Sequence, residues 1–122
     1  MIRVLVVDDN ETLREALVDA LDDRGIEVVG QATNGKDACE SASRLLPDVV
    51  VMDIRMPDMS GPEATAWLTS RCPGVRVIGL TAYDDEALHE AMERSGAAAV
   101  LVKGASIKQI VSAISDAVSV PD

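Results

Sequence analysis

Five short apolar runs are spaced along the chain, separated by stretches in which apolar residues recur at helical intervals. Four of the runs are nearly continuous in aliphatic residues, as expected of strands buried on both faces of a parallel sheet. The second run contains Glu27 and Gln31 and therefore predicts an edge strand. The five runs are IRVLVV (2–7), IEVVGQA (26–32), DVVVMD (48–53), VRVIGL (75–80) and AAVLV (98–102).

Helical spacing predicts a helix after each strand. Gly25 follows the first apolar stripe as a stop signal, and Ser60 followed by Pro62 opens a helix over 60–71. A fourth helix is predicted over 84–95. Strand and helix alternate five times, which predicts one doubly wound α/β domain. The inward stripes are Leu13, Ala16, Leu17, Ala20 and Leu21; Ala38, Ala42 and Leu45; Ala87, Leu88, Ala91 and Met92; and Ile107, Ile110, Val111, Ile114 and Val118.

Composition narrows the class of protein. A length of 122 residues with 48% hydrophobic content fits one domain with its own core. The net charge of −10 disfavours direct binding of nucleic acid or anionic lipid. No run is long enough to predict a signal peptide or a membrane span. Cys39 and Cys72 lack metal-ligand or redox spacing and predict free thiols. We therefore expect a cytoplasmic domain without nucleic-acid or membrane contacts.

Polar side chains stand where four of the predicted strands end. Asp8 and Asp9 follow the first strand and Asp53 ends the third, while Thr81 and Lys103 follow the fourth and fifth. In an open parallel α/β sheet, ligands bind beyond the carboxyl ends of the strands, where the strand order reverses. We expect these five side chains to meet in that crevice.

Each of these residues taken alone has an ordinary structural explanation. Asp9 or Asn10 could cap the following helix, and Asp53 could be a turn acid. Thr81 could be another cap and Lys103 a solvated loop residue. Taken together, three close carboxylates would repel one another unless a cation joins them. Mg²⁺ is a hard cation that typically takes one or two carboxylates and keeps several waters.

The combination of carboxylates, an amine and a hydroxyl suggests phosphoryl transfer. A carboxylate can attack phosphorus to form an acyl phosphate. Mg²⁺ and an ammonium group would neutralise charge on the equatorial oxygens of the moving group. A hydroxyl could then donate a hydrogen bond to one of those oxygens in the product.

The motifs VVDD (6–9), MDIRMPDMSG (52–61), LTAY (80–83) and VKG (102–104) resemble, in this order, those of the receiver domain of two-component response regulators. The resemblance covers the whole chain. It implies a flavodoxin-like (βα)5 receiver fold with strand order 2-1-3-4-5. It also implies that Asp53 accepts a phosphoryl group from a phosphohistidine on a sensor histidine kinase, in a Mg²⁺-dependent reaction.

The resemblance implies a role for each matching residue. Four residues would hold Mg²⁺, one of them through water and one through its main-chain carbonyl, and two more would contact the phosphoryl group. The Mg²⁺ residues are Asp8 (through water), Asp9, Asp53 and the carbonyl of Arg55; the phosphoryl contacts are the switch hydroxyl of Thr81 and the ammonium of Lys103.

Three positions bear on how activation is transmitted. The family often has an aromatic residue three positions before the lysine, but Val100 stands here, so an aromatic flip at that position cannot be the signal. Tyr83, the only tyrosine, could line the site or be a structural residue. Gly104 replaces the usual proline, which disfavours a cis bond after Lys103, since a cis bond that does not precede proline costs about 2.5–4 kcal/mol.

The sequence KGAS (103–106) resembles the NarL/LuxR-type branch, whose receivers usually precede a helix-turn-helix DNA-binding domain. We therefore predict that residues 1–122 form a single receiver domain, placed at the N-terminal side of a transcription regulator. The family commonly dimerises through the last two helices and the final strand, so a homodimer is among the implied partners.

We expect a signalling domain that phosphorylates and dephosphorylates itself, rather than a turnover enzyme. Two alternatives stay open. One is an interaction module that works without phosphorylation. The other is a small Mg²⁺ phosphohydrolase, which the adjacency of Asp8 and Asp9 and the short chain disfavour.

Overall fold

The computed structural model describes residues 1–56, 58–81 and 85–119. Within these ranges five strands alternate with five helices, as predicted. The strands are β1 (Arg3–Val7), β2 (Glu27–Ala32), β3 (Val49–Asp53), β4 (Arg76–Thr81) and β5 (Ala99–Val102); the helices are α1 (Glu11–Asp22), α2 (Gly35–Leu45), α3 (Gly61–Arg71), α4 (Glu86–Arg94) and α5 (Ile107–Ser119).

The strands form one parallel sheet in the order β2-β1-β3-β4-β5. The order implied by the sequence resemblance is therefore confirmed, and so is the edge position of β2. The direction of strand addition reverses at β1 and β3, which lie side by side in the middle of the sheet. A crevice opens between the carboxyl ends of two strands at such a reversal.

Aliphatic side chains of the strands point alternately to two core layers. Leu5 and Val50 pack on the layer formed with α2, α3 and α4, whereas Val4 and Val51 pack on the layer formed with α1 and α5. All residues of β3 are buried, as are the last four of β1. Burial on both faces explains why these strands are aliphatic without alternation.

The prediction of burial on both faces is wrong for β5. Its first three residues are only half-buried and Val102 is exposed. The reason is its place at the other edge of the sheet, beside β4 alone. A run of aliphatic residues therefore did not distinguish this edge strand from the central ones.

Four predicted inward positions on the helices are also exposed, because each helix has a narrower contact with the sheet than its apolar stripe suggests. On α5 the buried stripe is Ile110, Ile114 and Ala117, which leaves Val118 at its margin. On α1 the buried residue is Leu21, near the C-terminal end. The exposed positions are Leu13, Ala16, Ala87 and Val118.

No helix in the described ranges has both the length and the apolar character needed to cross a bilayer. Cys39 and Cys72 are free and buried, as their spacing predicts. Burial is the main cause that raises the pKa of the Cys39 thiol to about 11.

Candidate functional site

The acidic side chains lie where β1 and β3 end, at the carboxyl edge of the sheet. Val7 pairs with Met52 in the parallel register of these two strands. The next residues along each strand are Asp8 and Asp53, so the backbone pairing alone places them side by side. A hydrogen bond from the Asp8 N–H to the Ala32 carbonyl (3.1 Å) continues the β1–β2 ladder to this point.

Asp8, Asp9 and Asp53 form a compact acidic cluster. One carboxylate oxygen from each residue lies within 4.8 Å of the others. Asp8 and Asp53 are buried, with exposed fractions of 6% and 4%, whereas Asp9 is exposed. The residue that caps α1 is Asn10, since its side-chain oxygen accepts a hydrogen bond from the Leu13 N–H (3.0 Å). Capping of α1 therefore does not explain why the three acids lie together.

Electrostatic repulsion within the cluster acts on Asp8. Burial is the largest cause that raises the pKa of Asp8, and the charges of Asp53 and Asp9 raise it further. The Asn10 N–H, which donates to Asp8 Oδ1 (2.9 Å), and the charge of Lys103 lower it, but the net direction is upward. Three hard oxygen donors in partly buried positions fit a divalent cation such as Mg²⁺.

Lys103 reaches the cluster from the end of β5. Its Nζ donates a hydrogen bond to Asp53 Oδ2 (3.0 Å), and its side chain is 38% exposed. The other oxygen, Oδ1, accepts from the Arg55 N–H (3.2 Å). Both oxygens of Asp53 are thus oriented by donors, one of them the positively charged ammonium of Lys103.

Thr81 is the last residue of β4 and is 3% exposed. Its neighbour Leu80 pairs with Asp53, so Thr81 lies at the same edge of the sheet as the acids. The Lys103 N–H donates to the Thr81 carbonyl (2.7 Å), which aligns the ends of β4 and β5. The structure therefore brings together the side chains of Asp8, Asp9, Asp53 and Lys103, and places Thr81 at the same edge of the sheet.

Three further positions were predicted to bear on how activation is transmitted: Gly104, Val100 and Tyr83. The Lys103–Gly104 bond is trans, and Gly104 has φ of 100°, which glycine adopts without steric cost. Val100 is half-buried in β5 opposite Gly79. Tyr83 lies outside the described residues.

The side chain of Arg55 forms an ion pair with Asp85. The same Asp85 caps α4, since its Oδ1 accepts from the Leu88 N–H (3.2 Å). Nothing in the sequence indicated this ion pair, because its two partners are 30 residues apart. The pair borders an open cleft of about 680 Å³ that Asp9 also lines.

Arg14 supports the end of β1, and sequence reasoning missed it. Its Nη1 donates to the Asp8 carbonyl (3.0 Å), and its Nε donates to Gln31 Oε1 (3.0 Å). The guanidinium therefore ties α1 to the ends of β1 and β2. One arginine on an exposed helix face gives no signal of such a contact in the sequence.

Replacing Asp8 with asparagine is expected to stabilise the metal-free protein increasingly as the pH rises. Because the folded-state pKa of Asp8 lies above its ordinary value of 3.8, the native carboxyl contributes most stability below that pH. This contribution is lost as the pH rises through the raised pKa, whereas asparagine does not titrate. The difference in Tm between Asp8→Asn and the native chain, measured in chelator, should widen as the pH rises above the ordinary pKa of 3.8 and through the raised pKa of Asp8. A difference in Tm that stays constant as the pH rises would contradict the raised pKa of Asp8.

Comparisons with known proteins agree with this arrangement. The model of the response regulator receiver domain family matches residues 4–115. The chain is 40% identical over 115 residues to the response regulator GacA of Pseudomonas viridiflava, covering 93% of this chain and 54% of that protein. It is 41% identical over 115 residues to the response regulator UvrY of Escherichia coli strain K12, covering 93% and 53%. The chain spans about half the length of these curated relatives.

A solved structure is similar over almost the full length. It is the signal receiver domain of the putative response regulator NarL from Mycobacterium tuberculosis, with a TM-score of 0.93, 36% identity and 98% coverage of both chains. A DNA-binding response regulator of the LuxR family from Staphylococcus aureus is also similar, with a TM-score of 0.90, 27% identity, and coverage of 96% of this chain and 98% of that one. The parallel sheet, the strand-end acids and these matches lead to one conclusion: the chain belongs to the receiver domain family of two-component response regulators.

Proposed function

We propose that Asp53 accepts a phosphoryl group from a phosphohistidine of a sensor histidine kinase, and that Mg²⁺ assists the transfer. The observation that carries the proposal is the contact of Lys103 Nζ with Asp53 Oδ2 at 3.0 Å, beside two further carboxylates. A lysine at this place would neutralise charge that arrives on the nucleophile. An acidic turn without this chemistry would have no need of a lysine that lies 50 residues further along the chain, directly after β5.

The transfer forms one bond and breaks one. An oxygen of the Asp53 carboxylate attacks phosphorus while the bond from phosphorus to the histidine nitrogen breaks, and the electron pair of that bond stays on the nitrogen. Asp8, Asp9, Asp53 and the carbonyl of Arg55 would hold the cation, Asp8 through water. When bound, Mg²⁺ supplies positive charge to the phosphoryl oxygens. Lys103 would supply a further positive charge beside Asp53, and the Thr81 hydroxyl would donate to a phosphoryl oxygen in the product.

Phosphorylation would then change the affinity of the domain for its partners. Since Val100 is aliphatic, we propose that the change is transmitted without an aromatic flip at that position. The relatives GacA and UvrY are response regulators about twice as long as this chain. We propose that the domain controls transcription through an attached helix-turn-helix domain, and that nucleic acid is bound there rather than here. A homodimer through the last two helices and the final strand stays a prediction.

We also propose that the domain works in the cytoplasm as a switch and not as a turnover enzyme. Its two free cysteines suit a reducing compartment. Once Asp53 is phosphorylated, the domain would lose the phosphoryl group by hydrolysis of the acyl phosphate. The domain would then return to its starting state.

The proposal is tested by incubating the chain with Mg²⁺ and acetyl phosphate and measuring the intact mass. We expect a gain of one phosphoryl group, and no gain in chelator. Steady release of phosphate well beyond one equivalent would favour the phosphohydrolase alternative. A chain that gains no mass at any Mg²⁺ concentration would favour the interaction module that works without phosphorylation.

A further inference from the structure

The loop between β3 and α3 begins directly after Asp53 and is tightly closed at its base. The Gly61 N–H donates to the Ile54 carbonyl (2.9 Å), which joins the two ends of the loop. A Cβ atom added at Gly61 would lie 2.8 Å from the Cα atom of Ile54, so the two backbones are in contact. Arg55, within this loop, donates its N–H to Asp53 Oδ1. The shape of the loop therefore bears directly on the Asp53 carboxylate.

The middle of the loop is fastened to another element, the N-terminus of α2. Both carboxylate oxygens of Asp58 accept backbone hydrogen bonds there, Oδ1 from the Gly35 N–H (2.9 Å) and Oδ2 from the Lys36 N–H (3.0 Å). Asn34 accepts from the next amide, that of Asp37 (2.8 Å). Asp58 thus completes the cap of α2 from a loop 22 residues further along the chain. The amides of Gly35 and Lys36 lie unpaired at the start of a helix unless such an acceptor reaches them.

Backbone packing reinforces the two hydrogen bonds. A Cβ atom added at Gly35 would lie 2.7 Å from the Met59 Cβ and 3.0 Å from the Met59 carbonyl oxygen. The loop therefore rests on the first turn of α2 with no room for a side chain between them. The helix itself is anchored in the core through Ala38 and Ala42, both fully buried. The loop is held on a rigid base.

The negative charge of Asp58 strengthens its hydrogen bonds with the Gly35 and Lys36 N–H groups. Loss of some hydration acts to raise the pKa of Asp58, which is exposed, but the backbone hydrogen bonds from Lys36 and Gly35 outweigh it and lower the pKa. The carboxylate is accordingly ionised at neutral pH. Its two oxygens are engaged by α2, so it is placed to hold the loop and not to bind the cation itself.

We propose that Asp58 is a positioning residue of the phosphorylation site, which fastens the loop to α2 and so fixes the Arg55 main chain beside Asp53. This inference rests on the proposed function, because the Arg55 carbonyl is one of the proposed Mg²⁺ ligands. Mg²⁺ requires near-ideal octahedral geometry and tolerates displaced ligands poorly. Residues that orient metal ligands typically change metal affinity 10–100-fold when replaced.

The test compares Asp58→Asn with Asn34→Ala. The first variant keeps the shape of the side chain but presents an amide NH₂ to one of the two backbone donors. The second removes a cap at the same end of α2 without touching the loop, at a cost of about 1 kcal/mol. Isothermal titration with MgCl₂ should give a Kd about 10-fold higher for Asp58→Asn. Asn34→Ala should lower Tm and leave the Kd within about twofold of the native value.

A kinetic measurement separates positioning from general destabilisation. With acetyl phosphate as donor, the Mg²⁺ concentration for half-maximal phosphorylation should rise about 10-fold in Asp58→Asn, while the rate at saturating Mg²⁺ approaches that of the native chain. Gly35→Ala, which forces Met59 away from α2, should shift the same midpoint in the same direction.

Three results would overturn the inference. An unchanged Mg²⁺ affinity in Asp58→Asn, with a native chain that binds Mg²⁺ and gains a phosphoryl group, would remove the role of Asp58 and leave the proposed function standing. An equal loss in Asn34→Ala would show that the effect belongs to the stability of α2. A native chain that neither binds Mg²⁺ nor gains mass would remove both the inference and the proposed function.

Discussion

Replacing Asp53 with asparagine is expected to abolish the gain of a phosphoryl group. The amide of asparagine has nearly the same size as the carboxylate but is a far weaker nucleophile, so phosphoryl uptake should fall by on the order of 100-fold or more. We expect the effect at Asp53 because its two carboxylate oxygens accept hydrogen bonds from Lys103 Nζ and from the Arg55 N–H. The measurement is the intact mass after incubation with Mg²⁺ and acetyl phosphate.

Asp19→Asn provides a matched control for this result. Asp19 is exposed on α1, and its replacement changes the net charge by the same amount without entering the acidic cluster. The control should gain one phosphoryl group at the native rate. A gain in Asp53→Asn equal to that of Asp19→Asn would show that another residue is the phosphoacceptor.

The second large effect concerns Asp9 and the balance between repulsion and metal binding. In chelator, Asp9→Asn should have a higher Tm than the native chain, because one of three carboxylates with oxygens within 4.8 Å is neutralised. Saturating Mg²⁺ should stabilise the native chain by mass action, by about 2.7 kcal/mol at a concentration 100 times the Kd. The same Mg²⁺ should stabilise Asp9→Asn far less, so the order of the two Tm values is expected to reverse.

Thermal unfolding with and without Mg²⁺ measures both parts of this prediction. Asp19→Asn again serves as control and should follow the native chain in both conditions, since the charge it removes is exposed and lies outside the acidic cluster. A variant Asp9→Asn that is no more stable than the native chain in chelator would contradict the repulsion. An equal gain from Mg²⁺ in both chains would contradict the assignment of Asp9 as a ligand.

Local sequence pattern predicted the sheet well where burial is complete and less well at its margins. Runs such as VVVMD were aliphatic because β3 is covered on both faces, and the alternation with helices predicted the parallel architecture. The exposure of Val102 and Leu13 could not be predicted, since it depends on which neighbours cover an edge strand or a helix end. Periodicity identifies an apolar stripe but not how much of it the sheet covers.

In the candidate site, too, the sequence predicted some residues and missed others. Asp8, Asp53 and Lys103 were predictable because parallel strands bring their carboxyl ends to one edge, so chain position gives spatial position. The contacts of Asp58 and Asp85 were not predictable, because each joins a loop to an element that only the folded chain brings near. Side chains that support a site from outside the strand ends carry no comparable sequence signal.

The most direct test of the account is to locate the phosphoryl group chemically. The chain is incubated with Mg²⁺ and acetyl phosphate and then treated with borohydride, which reduces an aspartyl phosphate to the alcohol and marks its position for peptide mass mapping. The account predicts the mark at Asp53 in Mg²⁺ and none in chelator. A mark at Asp8 or Asp9 instead, or an equal yield at Asp53 without the cation, would contradict it.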